Sequence, residues 1–439
     1  MASCKPVKQS AYATIPTHVA WLESAVMDTL ISAERILARC DELAHCSEAP
    51  DHLTRVYLSP QMRAANELVL GWMRAAGMSA RVDAIGNVCG RYEGTTPGAP
   101  ALLLGSHLDT VRDAGKYDGM LGVVSAIECV AALVMQKRHL PHAIEIVGFA
   151  DEEGVRFGST LIGSRAVAGI FKPETLNAAD ASGTALRDAL RDYGLDAQRV
   201  GEAARRRDEV LAYIELHIEQ GPMLESLSLP VGVVTAISGA TRFQIEITGV
   251  AGHAGTVPMT LRHDALTAAA ECVLAIERRC SAEADLVGTV GKLETLPGAI
   301  NVIPGKVRFT LDVRAPVDAQ RRSATRDISD ALRAICNQRD VLLATATLHE
   351  NDNAACAPWL MQQLDAAVTS MGYTLHRLPS GAGHDGMAMQ ALCDIGMLFV
   401  RCKGGISHNP AEAVTREDVE AGAQVLLRFI ENFKSECQS

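Results

Sequence analysis

The chain has 439 residues, of which 48% are hydrophobic and 21% are charged, and its formal net charge is -11. It is longer than the roughly 250 to 300 residues that one hydrophobic core usually supports, so we expect two domains. Apart from Arg205–Arg207, the sequence contains no long run of basic residues, which argues against nucleic acid as a partner.

The N-terminal segment lacks the continuous apolar stretch of a secretory signal, and no later stretch offers about 20 uninterrupted apolar residues. We therefore expect a cytoplasmic protein that does not associate with membranes. The twelve cysteines include no C-x-x-C pair. This usage favours reduced thiols in the core over disulfides or cysteine-bound zinc.

Two short apolar runs flank a helical stretch in the first third of the chain. Residues 101–105 and 144–150 are predicted strands, and residues 119–138 between them are a predicted helix. A strand, a helix and a strand in this order indicate two parallel strands in a buried sheet. The sequence thus predicts an α/β domain.

The region from Arg242 to His349 has a different pattern, because its strands alternate between polar and apolar residues. One face of its sheet should therefore contact water. The predicted elements are strand 242–248, helix 262–280, strand 286–293, strand 306–314, helix 318–338 and strand 341–349. This is the β-α-β-β-α-β order of a ferredoxin-like unit, here inserted into the larger domain. The predicted boundaries are 20–238 with 351–439 for the larger domain, and 239–350 for the insertion.

Histidines and carboxylates recur beside the predicted strand ends and helix starts. They occur in "GSHLDTV" (His107 and Asp109), "DGMLGV" (Asp118), "DEEG" (Glu152 and Glu153), "HIEQGP" (His217, Glu219 and Gln220) and "SHNPAE" (His408 and Glu412). The carboxyl ends of parallel strands meet at one edge of a sheet, which is where sites in such folds usually lie. Imidazole and carboxylate ligands suit zinc or a similar divalent ion, and two ions sharing a carboxylate need about this many ligands.

Together with "GHAGTVPM", these motifs resemble the M20 peptidases, a family of dinuclear-metal amidohydrolases and exopeptidases. The resemblance covers nearly the whole chain and is strongest to the branch of N-carbamoyl-L-amino acid hydrolases, allantoate amidohydrolases and β-ureidopropionases. It implies a di-zinc exopeptidase-like catalytic domain with an inserted ferredoxin-like lid and dimerisation domain. It also implies two divalent ions per subunit, either zinc or manganese, cobalt or nickel. The implied ligands are His107 and His217 for one ion, Glu153 and His408 for the other, and Asp118 for both.

The adjacent carboxylates Glu152 and Glu153 should have different roles, because successive side chains at a strand end point to opposite sides. If Glu153 is a metal ligand, Glu152 is free to act as the general base that activates water. Asp109 is expected to orient His107, since metal-bound histidines usually have such a partner. Asp151 is expected to face solvent or a turn amide, and it is assigned no role.

The resemblance implies a small ureido substrate that carries a carboxylate. His217 stands where similar peptidases commonly have a carboxylate, which favours the ureido-hydrolysing branch, and Gln220 resembles the residue that binds the ureido group. Arg314 and Asn301 are the expected partners of the substrate carboxylate, because arginine offers a planar fork suited to it. Arg242 is a weaker candidate for a second polar contact.

Two further segments are expected to contribute to the site. His253 in "GHAGTVPM" resembles a residue that the partner subunit contributes to the oxyanion and substrate pocket, which implies a homodimer formed through the inserted domain. Gly383 in "SGAGHDGM" lacks a side chain, so its backbone could closely approach a ligand. His384 and Asp385 in the same segment are compatible with a purely structural role.

The leading interpretation is a metal-dependent hydrolase that converts an N-carbamoyl-L-amino acid to the amino acid, carbon dioxide and ammonia. Hydrolysis of allantoate to a ureidoglycine or ureidoglycolate product is a close alternative that the sequence barely separates from it. A β-ureidopropionase is less favoured, and His217 argues against a di-zinc aminoacylase or dipeptidase. A non-catalytic binding protein on the same fold would be expected to have lost Glu152 or a ligand, and all of them are present.

Overall fold

The computed structural model describes residues 30–435. Residues 20–29 of the predicted catalytic domain lie outside this range, as do the segment inspected for a secretory signal, Cys4 and Cys437. Within it, no helix combines the length and apolar character needed to cross a bilayer. The ten cysteines of the described range are free thiols, and nine of them are buried.

Between residues 30 and 435 the chain forms eleven α-helices and sixteen strands. The helices are α1 Ala33–Ala44, α2 Pro60–Ala75, α3 Met120–Met135, α4 Ile162–Val167, α5 Leu186–Asp192, α6 Met223–Ser226, α7 Ala265–Ser281, α8 Asp318–Gln338, α9 Pro358–Ser370, α10 Gly386–Met389 and α11 Arg416–Asn432. The strands are β1 Ser79–Val82, β2 Val88–Tyr92, β3 Ala101–His107, β4 Ala143–Phe149, β5 Val210–Ile218, β6 Val231–Ile237, β7 Gly239–Thr248, β8 Gly252–His253, β9 Val287–Thr289, β10 Leu293–Leu296, β11 Val302–Ile303, β12 Lys306–Ala315, β13 Leu342–Asn351, β14 Ala354–Ala355, β15 Arg377–Ser380 and β16 Ile395–Val400.

The larger sheet has nine strands in the order β1-β2-β4-β3-β5-β16-β6-β14, with β15 paired to β6. Its four central strands, β4, β3, β5 and β16, are parallel neighbours. Every residue of β3 and β4 is buried, as expected for parallel strands covered on both faces. The predicted parallel pairing of the two apolar runs is confirmed, and β3 extends two residues beyond the prediction to include His107.

Helix α3 covers one face of this sheet and begins directly after the Asp118–Gly119 pair. Residues 120–130 are all buried, because the helix is apolar around its circumference and lies between the sheet and neighbouring helices. Gly122 permits the close packing, since a Cβ at this position would lie 2.1 Å from the main-chain oxygen of Leu216 in β5. This packing fixes the start of α3, and therefore Asp118, at the carboxyl edge of the sheet.

The smaller sheet contains five antiparallel strands in the order β10-β12-β7-β13, with β9 also paired to β12. Alternation along β12 buries its apolar side chains in a separate core with α7 and α8, and it leaves Arg308, Thr310, Asp312 and Arg314 on the opposite face. Apart from the short pair β8 and β11, and with β9 and β10 in place of one strand, the elements follow the predicted β-α-β-β-α-β order of a ferredoxin-like unit.

The single strand predicted over residues 286–293 is wrong, because the structure has two short strands there. Strand β9 pairs Thr289 with Asp312, and β10 pairs Leu293 with Phe309. Three residues, 290–292, therefore lie opposite two, 310–311. An extra residue of this kind breaks the ladder as a β-bulge.

The chain passes from the larger sheet to the smaller one at Ser238, between β6 and β7, and it returns between β13 and β14. The fully buried side chain of Arg321 in α8 contacts both connections between the sheets. It bonds to Thr241 just after the first connection and forms ion pairs with Glu350 and Asp352 at the second, and it also donates to Asp318 in its own helix. The role of residues 239–350 as a lid and dimerisation domain stays a prediction.

Candidate metal centre and active site

The candidate ligands come together at the carboxyl edge of the larger sheet. His107 is the last residue of β3, Glu153 follows β4, and His217 is the penultimate residue of β5. His408 lies in the segment between β16 and α11, and Asp118 precedes α3. Neighbouring parallel strands thus bring together residues that are up to 301 positions apart in the sequence (408 minus 107).

Asp118 lies at the centre of this group. Its Oδ1 is 3.4 Å from Nε2 of His107 and 3.1 Å from Nε2 of His217. Its Oδ2 is 3.1 Å from Nε2 of His408, which in turn lies 3.3 Å from Oε1 of Glu153. Two sets of three potential ligands result, His107 with Asp118 and His217, and Asp118 with Glu153 and His408. They share Asp118.

The chemistry of these side chains fits divalent metal ions. Nδ1 of His107 lies 3.0 Å from the main-chain oxygen of Asp109, and Nδ1 of His217 lies 2.9 Å from that of Ile218. A proton on each Nδ1 satisfies these carbonyls and leaves the Nε2 lone pair free. Nε2 of His217 is buried and makes no hydrogen bond within the described part of the chain. The site therefore brings together imidazole nitrogen and carboxylate oxygen atoms that can act as metal ligands. Such a ligand set suits zinc, manganese, cobalt or nickel.

The carboxylate of Asp109 contacts the backbone of the acidic loop, residues 151–153, which follows β4. Its two oxygens accept the main-chain N–H groups of Glu152 and Glu153 at 3.0 and 3.1 Å. Its nearer oxygen lies 3.8 Å from Nδ1 of His107, so the hydrogen bond to the imidazole comes from the main-chain carbonyl instead. Burial raises the pKa of Asp109 to about 6. The residue orients His107 through its backbone and fixes the acidic loop through its side chain.

Glu152 faces the cavity, and its carboxylate makes no hydrogen bond to any described residue. Burial raises its pKa well above the ordinary value, because the charged form is poorly solvated there. Gly383 stands opposite, since a Cβ at this position would lie 3.9 Å from Oε1 of Glu152. The expectation that Asp151 faces solvent is wrong. Its side chain is buried, its carboxylate oxygens have no hydrogen-bond partner among residues 30–435, and burial raises its pKa.

Three polar side chains bond to Asp118 or to the backbone beside it. Oε1 of Glu412 accepts the main-chain N–H of Tyr117 at 2.8 Å and that of Asp118 at 3.1 Å. The hydroxyl of Ser407 lies 2.9 Å from both Oδ2 of Asp118 and Oε2 of Glu412. Nε2 of Gln220 donates to Oδ2 of Asp118 at 3.0 Å, which leaves the buried Oε1 of Gln220 without a partner. Sequence reasoning noted Glu412 without assigning it a role and missed Ser407.

A third set of side chains lies behind His217. His384 is buried, its ring centre is 4.5 Å from that of His217, and its Nε2 lies 2.8 Å from the hydroxyl of Ser380. Burial lowers the pKa of His384 well below its ordinary value, so the ring is neutral. Glu215 completes this set and accepts from Ser106 at 2.9 Å. Glu215 and His384 are thus already hydrogen-bonded to serine side chains, and we interpret them as packing support for His217 and not as metal ligands. Sequence reasoning missed Glu215, which lies two residues before His217 in β5.

A cavity of about 610 Å³ extends from the candidate ligands to the smaller sheet. Gln220, Arg242, Arg314 and Gly383 line it, as predicted for substrate-binding residues, and so does Arg165, which sequence reasoning missed. Both Arg242 and Arg314 bind Asp312 on the polar face of β12.

His253 and Asn301 are not among the described residues that line this cavity. They lie side by side instead, where β8 pairs with β11 and the N–H of Ala254 donates to the carbonyl of Asn301 at 3.0 Å. Both residues are exposed. Arg314 thus lines the cavity without Asn301, with which it was expected to act.

Known proteins resemble this chain over most of its length. Residues 103–432 match the family "Peptidase family M20/M25/M40". An allantoate deiminase of Arabidopsis thaliana is 42% identical over 92% of this chain and 82% of its own. An N-carbamoyl-L-amino acid amidohydrolase of Geobacillus stearothermophilus is 43% identical over 91% of this chain and 98% of its own. The crystal structure of a hydantoinase/carbamoylase family amidase from Burkholderia multivorans superposes with a TM-score of 0.86, at 33% identity over 91% of this chain and 97% of that one.

Proposed function

The chain belongs to peptidase family M20/M25/M40, and from that premise we propose that it hydrolyses the ureido C–N bond of an N-carbamoyl-L-amino acid. The products are the amino acid, carbon dioxide and ammonia. Relatives that are 38% to 43% identical over 91% of this chain carry the name of this activity, which supports the proposal.

The family is metal-dependent, and the two sets of ligands around Asp118 support two divalent ions in each subunit. His107 and His217 would hold one ion, Glu153 and His408 the other, and Asp118 both. When bound, such ions polarise a carbonyl group and make water more acidic. The positive charge of the bound ions would also compensate the negative charge of the acidic loop.

Glu152 is the proposed general base. Its carboxylate faces the cavity and has no competing hydrogen bond, so it is free to take a proton from the attacking water and pass it to the leaving nitrogen. Asp109 holds the main-chain N–H groups of Glu152 and Glu153, which fixes the base relative to the adjacent ligand. Gly383 leaves room for the substrate beside Glu152.

The observation that carries the ureido assignment is the orientation of Gln220. Its Nε2 is engaged by Asp118, and its buried Oε1 is left as an acceptor beside both sets of ligands. A ureido group has N–H donors on both sides of its carbonyl, so an N–H can bond to this oxygen once rotation of the Gln220 side chain turns Oε1 toward the cavity, while the carbonyl approaches the metal site. A buried acceptor of this kind disfavours analogues that lack the donor.

The far end of the substrate is proposed to bind to the smaller sheet through its carboxylate. Arg314 lines the cavity and reaches the main-chain oxygen of Gly381 at 2.8 Å with Nη1. A carboxylate would be a stronger acceptor for this nitrogen than a neutral carbonyl. Binding at both ends would align the scissile carbonyl with Glu152 and the ligands.

We also propose that the functional unit is a homodimer in which residues 239–350 contribute the interface. His253 and Asn301 are exposed and lie apart from the cavity of their own chain. This placement supports an arrangement in which His253 of the partner subunit completes the oxyanion and substrate pocket, with Asn301 of the partner subunit beside it. A two-fold symmetric pair would exchange these residues reciprocally.

Allantoate is the second candidate substrate. The allantoate deiminase of Arabidopsis thaliana is as similar to this chain as the carbamoyl hydrolase is. Arg242 uses only Nε on Asp312, so its terminal nitrogens are free among the described residues to meet a second ureido carbonyl. Both candidates share the same reaction and differ only in the group opposite the scissile bond.

Ammonia release tests the proposal. After reconstitution with divalent metal, the enzyme is incubated with allantoate, a set of N-carbamoyl-L-amino acids, N-carbamoyl-β-alanine and dipeptides. We expect ammonia from one or more ureido substrates with a carboxylate on the carbon next to the ureido nitrogen. Hydrolysis of dipeptides without ammonia release from any ureido compound would contradict the assignment.

A further inference from the structure

Arg165 brings an uncompensated positive charge to the wall of the cavity. It lies on α4 and lines the same cavity as Glu152, Gln220 and Arg314. The side chain is partly buried, and burial lowers its pKa, because the charged form is poorly solvated there. Among the described residues, its guanidinium has neither a hydrogen bond nor an ion pair. This charge therefore lacks a protein partner.

The position of Arg165 is fixed by contacts between α4 and the acidic loop. The N–H of Leu161 donates to the carbonyl of Glu152 at 3.1 Å, and that of Gly163 donates to the carbonyl of Ala150 at 2.8 Å. The N–H of Arg165 continues the turn to the carbonyl of Leu161 at 2.9 Å. The backbone that carries Arg165 is thus tied directly to the backbone that carries the general base.

The other two arginines of the cavity are compensated. Arg314 donates to Asp312 through Nε at 3.0 Å and Nη2 at 2.9 Å, and Arg242 donates to the same carboxylate through Nε at 2.9 Å. Two guanidinium groups and one carboxylate leave one net positive charge, which matches the single carboxylate that every proposed substrate carries. Arg165 remains as a second positive charge that this carboxylate does not neutralise.

We propose that Arg165 determines specificity by binding a second anionic group, so that the preferred substrates are N-carbamoyl-L-amino acids with an acidic side chain. This inference rests on the proposed function and specifies its substrate class. A partly desolvated guanidinium gains most from a charged acceptor, because a neutral carbonyl forms a weaker hydrogen bond with it.

The test compares kcat/KM for N-carbamoyl-L-aspartate and N-carbamoyl-L-glutamate with kcat/KM for N-carbamoyl-L-alanine and N-carbamoyl-L-methionine. In the wild-type enzyme, we expect one of the acidic substrates to be the best of the four. Arg165→Gln should lower the ratio of acidic to neutral substrates by about 10-fold or more, the usual effect of losing a charge-assisted hydrogen bond. The loss should appear mainly in KM, since Arg165 contacts the side chain and not the reacting atoms.

Two further variants separate a specific contact from a general effect. Arg187→Gln removes the same charge from an exposed position on the neighbouring helix α5, outside the cavity lining, and should leave the ratio unchanged. Arg165→Glu should reverse the preference, so that N-carbamoyl-L-lysine becomes a better substrate than N-carbamoyl-L-glutamate. An equal fall for acidic and neutral substrates in Arg165→Gln would assign Arg165 a structural role and overturn the inference.

Binding measurements distinguish failure of this inference from failure of the proposed function. Calorimetric titration of Glu152→Gln with N-carbamoyl-L-glutamate and N-carbamoyl-L-alanine, repeated with Arg165→Gln added, reports the same selectivity without turnover. If the wild-type enzyme releases ammonia from ureido substrates but Arg165→Gln leaves both selectivities unchanged, the function stands and the inference is wrong. It is also wrong if Arg165→Gln reduces activity on allantoate alone, because Arg165 would then bind a neutral ureido group.

Discussion

Asp118 and His217 approach each other without bonding. Oδ1 of Asp118 lies 3.1 Å from Nε2 of His217, which makes no hydrogen bond to any residue from 30 to 435, and Nδ1 of the same ring lies 2.9 Å from the carbonyl of Ile218. With the ring proton on Nδ1, two lone pairs face each other in a buried site. Such an arrangement is unfavourable unless a cation lies between them.

The first prediction follows from this relationship and concerns metal removal. Chelation should abolish activity and lower the melting temperature, because the ions offset the repulsion among the buried carboxylates and bind only the folded chain. Zinc, manganese, cobalt or nickel should each restore activity to a different degree, since nitrogen and oxygen ligands do not select strongly among these ions. Activity assays and thermal unfolding of the treated and reconstituted enzyme provide the measurement. Full turnover in a sample shown to be metal-free by elemental analysis would contradict the mechanism.

The second prediction separates the roles of the two adjacent glutamates. Glu152→Gln should retain both ions and lose at least about 100-fold in kcat, the usual contribution of a general base. Glu153→Gln should instead weaken one metal site, because it removes a ligand that lies 3.3 Å from His408. Metal content and steady-state kinetics of both variants, measured side by side, check the division. Loss of metal in the first variant and none in the second would reverse the two roles.

These two residues also illustrate how far the sequence could predict the site. The expectation that strand alternation points Glu152 and Glu153 to opposite sides is wrong, because β4 ends at Phe149 and both side chains line the same cavity. Their separate roles therefore rest on the family motif and stay a prediction. The sequence could not predict that Asp151 would be buried, because its backbone has a φ of 56° and leaves the strand geometry on which that expectation depends. Arg165 was missed for a related reason. No local pattern distinguishes an arginine that faces a cavity from one that faces solvent.

The fold was predictable where periodicity was strong. The apolar run of β3 and the alternation of β12 identified a buried parallel strand and a half-exposed antiparallel strand. The bulge between β9 and β10 was not predictable, because it depends on the register against β12 and not on the composition of residues 286–293. Likewise, the pairing that places Asn301 beside His253 joins short strands, β8 and β11, which carry too few residues to show a period.

The third prediction tests how tightly α3 holds Asp118 at the sheet edge. Gly122→Ala should destabilise the protein by roughly 3 kcal/mol or more, above the usual cost of overpacking, because the new Cβ would meet a main-chain oxygen that cannot rotate away. The matched control is Gly71→Ala in α2, where no atom lies within 4 Å of the place that a Cβ would take. It should be stabilising by about 0.5 to 1 kcal/mol through higher helix propensity. Denaturant unfolding of both variants measures the difference, and equal stabilities would show that the packing of α3 on β5 is looser than the structure indicates.

The last prediction concerns the subunit origin of His253. In the dimer proposed above, the active site of each subunit combines its own Glu152 with His253 of the partner subunit. His253→Ala and Glu152→Gln should each be nearly inactive alone. When the two proteins are mixed under conditions that permit subunit exchange, activity should reappear.

The reason for this recovery is the distribution of the two lesions in a mixed dimer. One of its active sites receives both substitutions, and the other receives neither, so one site in each mixed dimer has the wild-type composition. Random exchange of equal amounts makes about half of the dimers mixed, which corresponds to about a quarter of the wild-type activity. Subunit exchange is verified independently with differently tagged chains. If exchange is complete and activity stays at the level of the separate variants, His253 acts within its own chain or has no catalytic role. The shared-site arrangement would then be rejected, and the separation of His253 from the cavity would have to be closed by movement within one subunit.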